Sequence, residues 1–187
     1  WKEIASDGIT LAGDHNRSNG ALSIAAMQKI TNEPREKLIE LLNKFPGTSR
    51  RFEKLAENLY SDYAHHPEEI AATLQLASEL SDKLVVVYQP HQNIRQHQLE
   101  YTDCFDGAEK IYWLPTYLSR EDPNLNILSP QDLTRELPSG KVVFASLDDE
   151  LKKSIESELQ NGKLVVLMGA GSIDDWAREQ FISSSID

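Results

Sequence analysis

The stretch Asp62-Tyr63-Ala64-His65-His66-Pro67 brings a carboxylate, a phenol and two imidazoles together. Such groups hydrogen-bond a ligand, exchange a proton near neutral pH, or do both. The stretch follows the apolar run Asn58-Leu59-Tyr60-Ser61 and precedes a helical pattern from Glu68 to Leu80. It therefore sits where a strand hands over to a helix, the edge at which open α/β sheets bind ligands. Pro67 suits a first helical turn, and Glu68 and Glu69 suit the positive end of the helix dipole. The competing reading is that Asp62 and the histidines only satisfy backbone donors at the turn.

Three other polar loops also follow apolar runs: Gln89-Pro90-His91-Gln92-Asn93-Ile94-Arg95, Pro115-Thr116-Tyr117-Leu118-Ser119-Arg120-Glu121 and Gly169-Ala170-Gly171-Ser172. His91 and Arg95 lie four apart at a helix start, so both can face one ligand. An arginine there can grip a carboxylate or phosphate through two parallel bonds. Arg120 and Glu121 read as a local ion pair. Gly169-Ala170-Gly171 lacks the third glycine of a dinucleotide fingerprint and reads instead as a tight turn that lets backbone approach a ligand. Asn16 and Asn19 lie three apart at a helix start, where their amides can either meet an adenine edge or cap the helix.

The elements that must position these groups alternate. Helical patterns cover Ser18 to Ile30 and the stretch opened by Pro34, with Gly13-Asp14-His15-Asn16 as a turn and Ile4 to Leu11 as two short extended pieces. Phe45-Pro46-Gly47-Thr48-Ser49 reads as a boundary or hinge. A hairpin turning near Glu57-Asn58 leads into the strand Leu59 to Tyr63. Apolar strands follow at Lys83–Tyr88, Lys110–Leu114, Lys141–Ala145 and Lys163–Met168. Helices are expected at Glu68–Leu80, Arg95–Phe105, Pro130–Leu137, Asp148–Gln160 and about Ile173 to Ile182. The pattern predicts an α/β, Rossmann-like domain with a mostly parallel sheet flanked by helices. The first two helices have no sheet of their own and look like the end of a preceding domain, and the start at Trp1 suggests a piece of a longer protein.

The chain has 187 residues, 40% hydrophobic and 26% charged, with a formal charge of −11. That balance argues against a nucleic-acid partner, and no apolar run approaches the ~20 residues of a membrane span. A lone cysteine, Cys104, cannot form an internal disulfide, which fits a reducing, cytoplasmic setting. Composition leaves the oligomeric state open.

Taken in order, His15-Asn16-Arg17-Ser18-Asn19, Gly47-Thr48-Ser49-Arg50-Arg51-Phe52-Glu53, Asp62-Tyr63-Ala64-His65-His66-Pro67, Gln89-Pro90-His91 and Met168-Gly169-Ala170-Gly171 form a series that resembles the Mur ligase family. The resemblance implies that residues 1–45 are the tail of a central ATP-binding domain and 46–187 a C-terminal, amino-acid-binding domain. It implies ATP-driven amide-bond formation through an acyl phosphate, with Mg as cofactor and UDP-N-acetylmuramate, L-alanine and ATP as partners of the full enzyme. By motif position, Asn16 and Asn19 match adenine contacts, Arg51 a phosphate contact and Asp62 a ribose contact. His65, His91 and Arg95 match substrate-side residues, Arg95 for the carboxylate of alanine.

The sequence departs from that pattern at Gln92, where the family has arginine, and at Ile94-Arg95-Gln96 in place of Thr-Arg-Thr. There is no Gly-rich phosphate loop with its lysine, and the magnesium ligands are expected upstream. No ligase activity is therefore expected from this chain by itself, and no metal ligand is assigned within it. Two alternatives stand beside this reading: a recycling ligase that attaches a whole tripeptide, and a non-catalytic Rossmann-like binding module.

Overall fold

In the computed structural model the described residues are 6–97, 99–122, 124, 126–138 and 140–182. They fall into two compact units, 1–47 and 48–187.

In the first unit, α1 (Asp14–Ile30) and α2 (Arg35–Asn43) pack through Ile9, Ala21, Ile24 and Leu38. Helix α1 starts ahead of the expected Ser18, so Asp14, His15 and Asn16 are helical and not a turn. The turn falls earlier, at Gly13 with its φ of 84°, and the Arg17 N–H then bonds the Gly13 carbonyl. Arg17 also pairs with Asp14 in the same first turn. Residues 7 and 8 form a turn and 9–11 carry no strand; the expected extended residues Ile4 and Ala5 lie outside the described ones.

The second unit is built on β1 (Glu53–Ala56), β2 (Leu59–Asp62), α3 (Pro67–Ser78), β3 (Leu84–Tyr88), α4 (Asn93–Gln96), β4 (Lys110–Trp113), α5 (Pro130–Thr134), β5 (Val142–Phe144), α6 (Asp149–Gln160), β6 (Leu164–Met168) and α7 (Ile173–Phe181). The sheet order is β1-β2-β6-β3-β4-β5, with β1 antiparallel and every other pairing parallel. The expected mostly parallel, helix-flanked sheet is therefore present. Strands β3 and β6 are fully buried, as their unbroken apolar runs require.

Alternation along the strands divides the core. Val86, Tyr88, Ile111, Trp113 and Val166 face Ile70, Leu74 and Ala77 of α3, with Tyr101 and Phe105. Val85, Val87, Tyr112, Val165 and Leu167 face Leu151 and Ile155 of α6 and Ile173 and Ala177 of α7. This gives three layers, each sheet face covered by helices.

Two helices are shorter than their patterns predict. Helix α4 ends at Gln96 where a helix to Phe105 was expected, and α5 ends at Thr134 where one to Leu137 was expected. Tyr101, Cys104 and Phe105 still reach the core, but from a run of turns closed by short-range bonds such as Asp106 N–H to Asp103 O and Ala108 N–H to Phe105 O. Residue 98 of the expected helix lies outside the described ones. Local periodicity was satisfied by burial without a continuous helix.

A charged cluster ties β1 to α7. Arg178 bonds both carboxylate oxygens of Glu53 and pairs with Asp174, whose carboxylate accepts from the Ser61 hydroxyl. Arg178, aided by the Arg50 N–H and the Ser49 hydroxyl, holds the Glu53 carboxyl down at about 2 against an ordinary 4.5. A depressed carboxyl adds stability that is fully present above its unfolded value and is lost as pH falls through its folded value. Acid unfolding followed by circular dichroism is therefore expected to lose stability between about pH 4.5 and 2. Glu53→Gln should melt lower at pH 7 and flatten that part of the profile.

Candidate functional site

The parallel register sets Asp62, Met168, Tyr88, Trp113 and Phe144 in one row at the C-terminal edge of the sheet. The loops that follow β2, β6, β3 and β4 consequently emerge side by side. Strand β6 lies between β2 and β3, so the glycine turn after β6 emerges between the two histidine-bearing loops.

Asp62 lies at the base, 7% exposed. One carboxylate oxygen accepts from the Phe52 N–H at 2.7 Å and the other from the Ala64 N–H at 2.8 Å. Burial raises its carboxyl above the ordinary range, while these two bonds and nearby Arg51 pull it down. The competing reading of Asp62 as a satisfier of backbone donors is thus realised in the structure.

Above it runs a ribbon of rings. The guanidinium groups of Arg50 and Arg51 lie 4.7 and 5.4 Å from the centre of the Tyr63 ring. Tyr63 meets His65 edge to face at 5.4 Å, His65 meets His91 in the same way at 5.6 Å, and His91 stacks on Tyr117 at 5.9 Å. Arg51 is exposed, whereas Arg50 donates to the Gly169 carbonyl.

His65, His91 and Arg95 converge. The Arg95 Nη1 lies 3.3 Å from His65 Nε2, and His65 Nδ1 lies 3.1 Å from the Tyr63 carbonyl oxygen. A guanidinium can only donate, so Nε2 accepts and the imidazole carries its proton on Nδ1, toward that carbonyl. Glu69 accepts from the backbone N–H groups of His65 and His66 and stands 3.3 Å from His65 Nδ1. His91 Nδ1 is buried and has no hydrogen-bond partner among the described residues. Desolvation, then His65 and Arg95, lower the His91 imidazole below its ordinary 6.5, with Glu121 opposing.

The cation of this group is presented by α4. Asn93 and Gln96 are buried, while Ile94 and Arg95 point to solvent. Glu121 accepts from the N–H groups of Asn93 and Ile94 and so caps the helix. That is its role in place of the expected ion pair with Arg120. Asn93 donates to the Asn126 carbonyl and accepts from the Leu128 N–H.

The glycine turn makes close approaches, but to neighbouring loops. A Cβ on Gly169 would sit 2.9 Å from the Gln89 carbonyl oxygen, and one on Gly171 would sit 2.4 Å from Gln89 Oε1 and 2.6 Å from Tyr117 Cγ. Tyr117 itself is a site residue that sequence reasoning passed over. Its partner His91 is distant in sequence, and the bridge that joins them depends on strand order. Gln92, in the left-handed region at φ 59°, donates its N–H to the Tyr117 carbonyl.

Asn16 and Asn19 belong to the other unit. Asn16 donates one amide hydrogen to the Ala12 carbonyl, and Asn19 is exposed. Among the described residues no group of three or more His, Cys, Asp or Glu side chains is arranged to hold a metal ion. No helix among them is long and apolar enough to cross a membrane.

The fold and the edge site define an α/β domain that presents histidine, arginine and tyrosine at the C-terminal edge of its parallel strands. The family described as Mur ligase, glutamate ligase domain, matches residues 50–171, and the chain belongs to it. It is 35% identical over 188 residues to the UDP-N-acetylmuramate–L-alanine ligase of Jannaschia sp. (strain CCS1), covering 94% of this chain and 39% of that one. The crystal structure of UDP-N-acetylmuramate-alanine ligase from Thermotoga maritima superposes with a TM-score of 0.65 at 27% identity, covering 94% of this chain and 39% of that one. A murein peptide ligase from Psychrobacter arcticus shares the fold at a TM-score of 0.56 and 22% identity, covering 95% and 38%. The chain thus spans about two fifths of the length of these relatives.

Two outcomes are expected of the site. In a histidine NMR titration, His91 should titrate below 6.5, and Arg95→Ala should move its midpoint upward by removing a neighbouring cation. Gly171→Ala should cost about 1–3 kcal/mol in a denaturant melt, because the added carbon overlaps Gln89 and Tyr117.

Proposed function

We propose that this chain is the acceptor-side part of an ATP-dependent ligase that joins L-alanine to UDP-N-acetylmuramate in the building of a peptidoglycan precursor, in the cytoplasm. The observation that carries the reading is the convergence of His65, His91 and Arg95 at the C-terminal edge of the sheet. In this reading residues 1–45 are the end of a central ATP-binding domain, and 46–187 form the C-terminal domain.

The reaction needs an amine held against an activated carboxyl carbon. The C–N bond forms as phosphate departs, and the nitrogen gives up a proton. Arg95 is exposed and donates in a fork that suits the carboxylate of an amino acid. His65 and His91 meet at the same edge, with rings held by Tyr63, Tyr117 and Glu69. They orient the acceptor and keep a polar path for its proton. Arg51, free to leave the Tyr63 face, suits a phosphate oxygen. Asn16 and Asn19 suit an adenine edge. Asp62 first braces the loops and offers its remaining lone pairs to a ribose. Magnesium would supply charge neutralisation on the phosphates, from ligands expected upstream of this chain.

One feature favours the tripeptide acceptor as second reading: Gln92 stands where the family carries arginine, which leaves fewer cations beside the amino-acid pocket. Phosphate release by the full-length enzyme with UDP-N-acetylmuramate, ATP and a panel of amino acids and the tripeptide separates the two. L-alanine should be preferred, and Arg95→Ala should raise its KM by about tenfold or more. This 187-residue chain by itself should release no phosphate. Preference for the tripeptide would move the substrate, and no release with any acceptor would support a binding module.

A further inference from the structure

Beneath the site lies a buried polar chain inside an aromatic core. Tyr88, Tyr101 and Gln96 are 0%, 3% and 2% exposed. Tyr88 and Tyr101 pack against Phe105 and Trp113. The Gln96 Nε2 donates to the His91 carbonyl oxygen at 3.0 Å. That orientation turns Oε1 toward Tyr101, whose hydroxyl donates to it at 2.6 Å. Tyr101 has then spent its only proton. The Tyr88 hydroxyl has one proton for two acceptors, the Tyr101 oxygen at 3.0 Å and the His65 carbonyl oxygen at 3.1 Å.

The two ends of this chain are the backbone carbonyls of the site histidines, and its members lie on neither histidine loop's surface. Phenylalanine at either tyrosine would fill the same space without burying a hydroxyl, and burying one is costly unless it is bonded. The sheet has no need of these hydroxyls. They run from the loop after β2 to the loop after β3, with the single Tyr88 proton shared between the His65 carbonyl and the Tyr101 oxygen. Burial also raises the Tyr101 phenol to about 12 and the Tyr88 phenol well above its ordinary value, so both remain donors across the working pH range.

We propose that Tyr88, Tyr101 and Gln96 are positioning residues that set the spacing of His65 and His91, and through α4 the placement of Arg95, for the acceptor. The inference rests on the acceptor-side reading above. Gln96 belongs to the same helix as Arg95, so the bond that holds the His91 carbonyl also holds the helix that presents the cation.

Tyr101→Phe and Gln96→Met test it, since both keep volume and remove the bonds. On this chain, the ring signals of His65 and His91 in a long-range proton–nitrogen spectrum should shift while the circular dichroism of the sheet is retained. In the full-length ligase the KM for the acceptor should rise several-fold to about tenfold, with the KM for ATP unchanged. Unmoved histidine signals with only a lower melting temperature would overturn the proposal and leave a purely structural role. Shifted signals with an unchanged acceptor KM would also overturn it, provided Arg95→Ala raises that KM. If Arg95→Ala has no effect either, the acceptor-side reading is what fails.

Discussion

The site depends first on the two bonds accepted by the Asp62 carboxylate. Through Phe52 it holds the chain entering β1, and through Ala64 it holds the chain leaving β2. The Tyr63 N–H adds a third link to the Arg50 carbonyl. Arg50 and Phe52 adopt left-handed backbone, at φ of 57° and 50°, a region that side chains of this size enter only where surrounding contacts hold them. The carboxylate is such a contact. It sets the arginine pair over Tyr63 and so starts the row of rings that reaches His91 and Tyr117. A buried carboxylate with both oxygens bonded to backbone N–H groups is worth keeping for geometry, because removing it would strand two donors at about 1–3 kcal/mol each.

The second constraint is the sheet register. Parallel strands all enter from one edge and leave from the other, so their following loops are gathered without any instruction from the loops themselves. The row Asp62, Met168, Tyr88, Trp113 and Phe144 makes the floor of that edge. With β6 inserted between β2 and β3, Gly169 and Gly171 let the turn after β6 lie against Gln89 and Tyr117. At the opposite end of the sheet, Glu158 is gripped by Lys110, Lys163 and the Tyr112 hydroxyl, which stiffens the start of β4 and β6. This ion-paired end and the candidate site thus lie at opposite ends of the same strands.

Much of this was legible in the chain. The unbroken apolar runs ending at Tyr88 and Met168 identify central parallel strands, and Pro67 with Glu68 and Glu69 marks the start of α3, where Glu69 indeed accepts from the His65 and His66 N–H groups. The convergence of His65, His91 and Arg95 followed from placing each just past a strand. Elsewhere the local signal misled. Tyr101, Cys104 and Phe105 have helical spacing but reach the core from turns, and Glu121 caps α4 instead of pairing with its neighbour Arg120.

The sequence by itself determined the order of strands and helices, and hence which loops share an edge, because apolar period and turn chemistry are local properties of the chain. Only the tertiary structure decided what each polar group does there. Asp62 braces two backbone segments, Arg95 reaches His65, Tyr117 stacks on His91, and Tyr88, Tyr101 and Gln96 span the space between the His65 and His91 carbonyls. Those partners are far apart in sequence. Their meeting depends on β6 lying between β2 and β3 and on the register of each pair, which arise from packing the whole sheet and from no single segment of it.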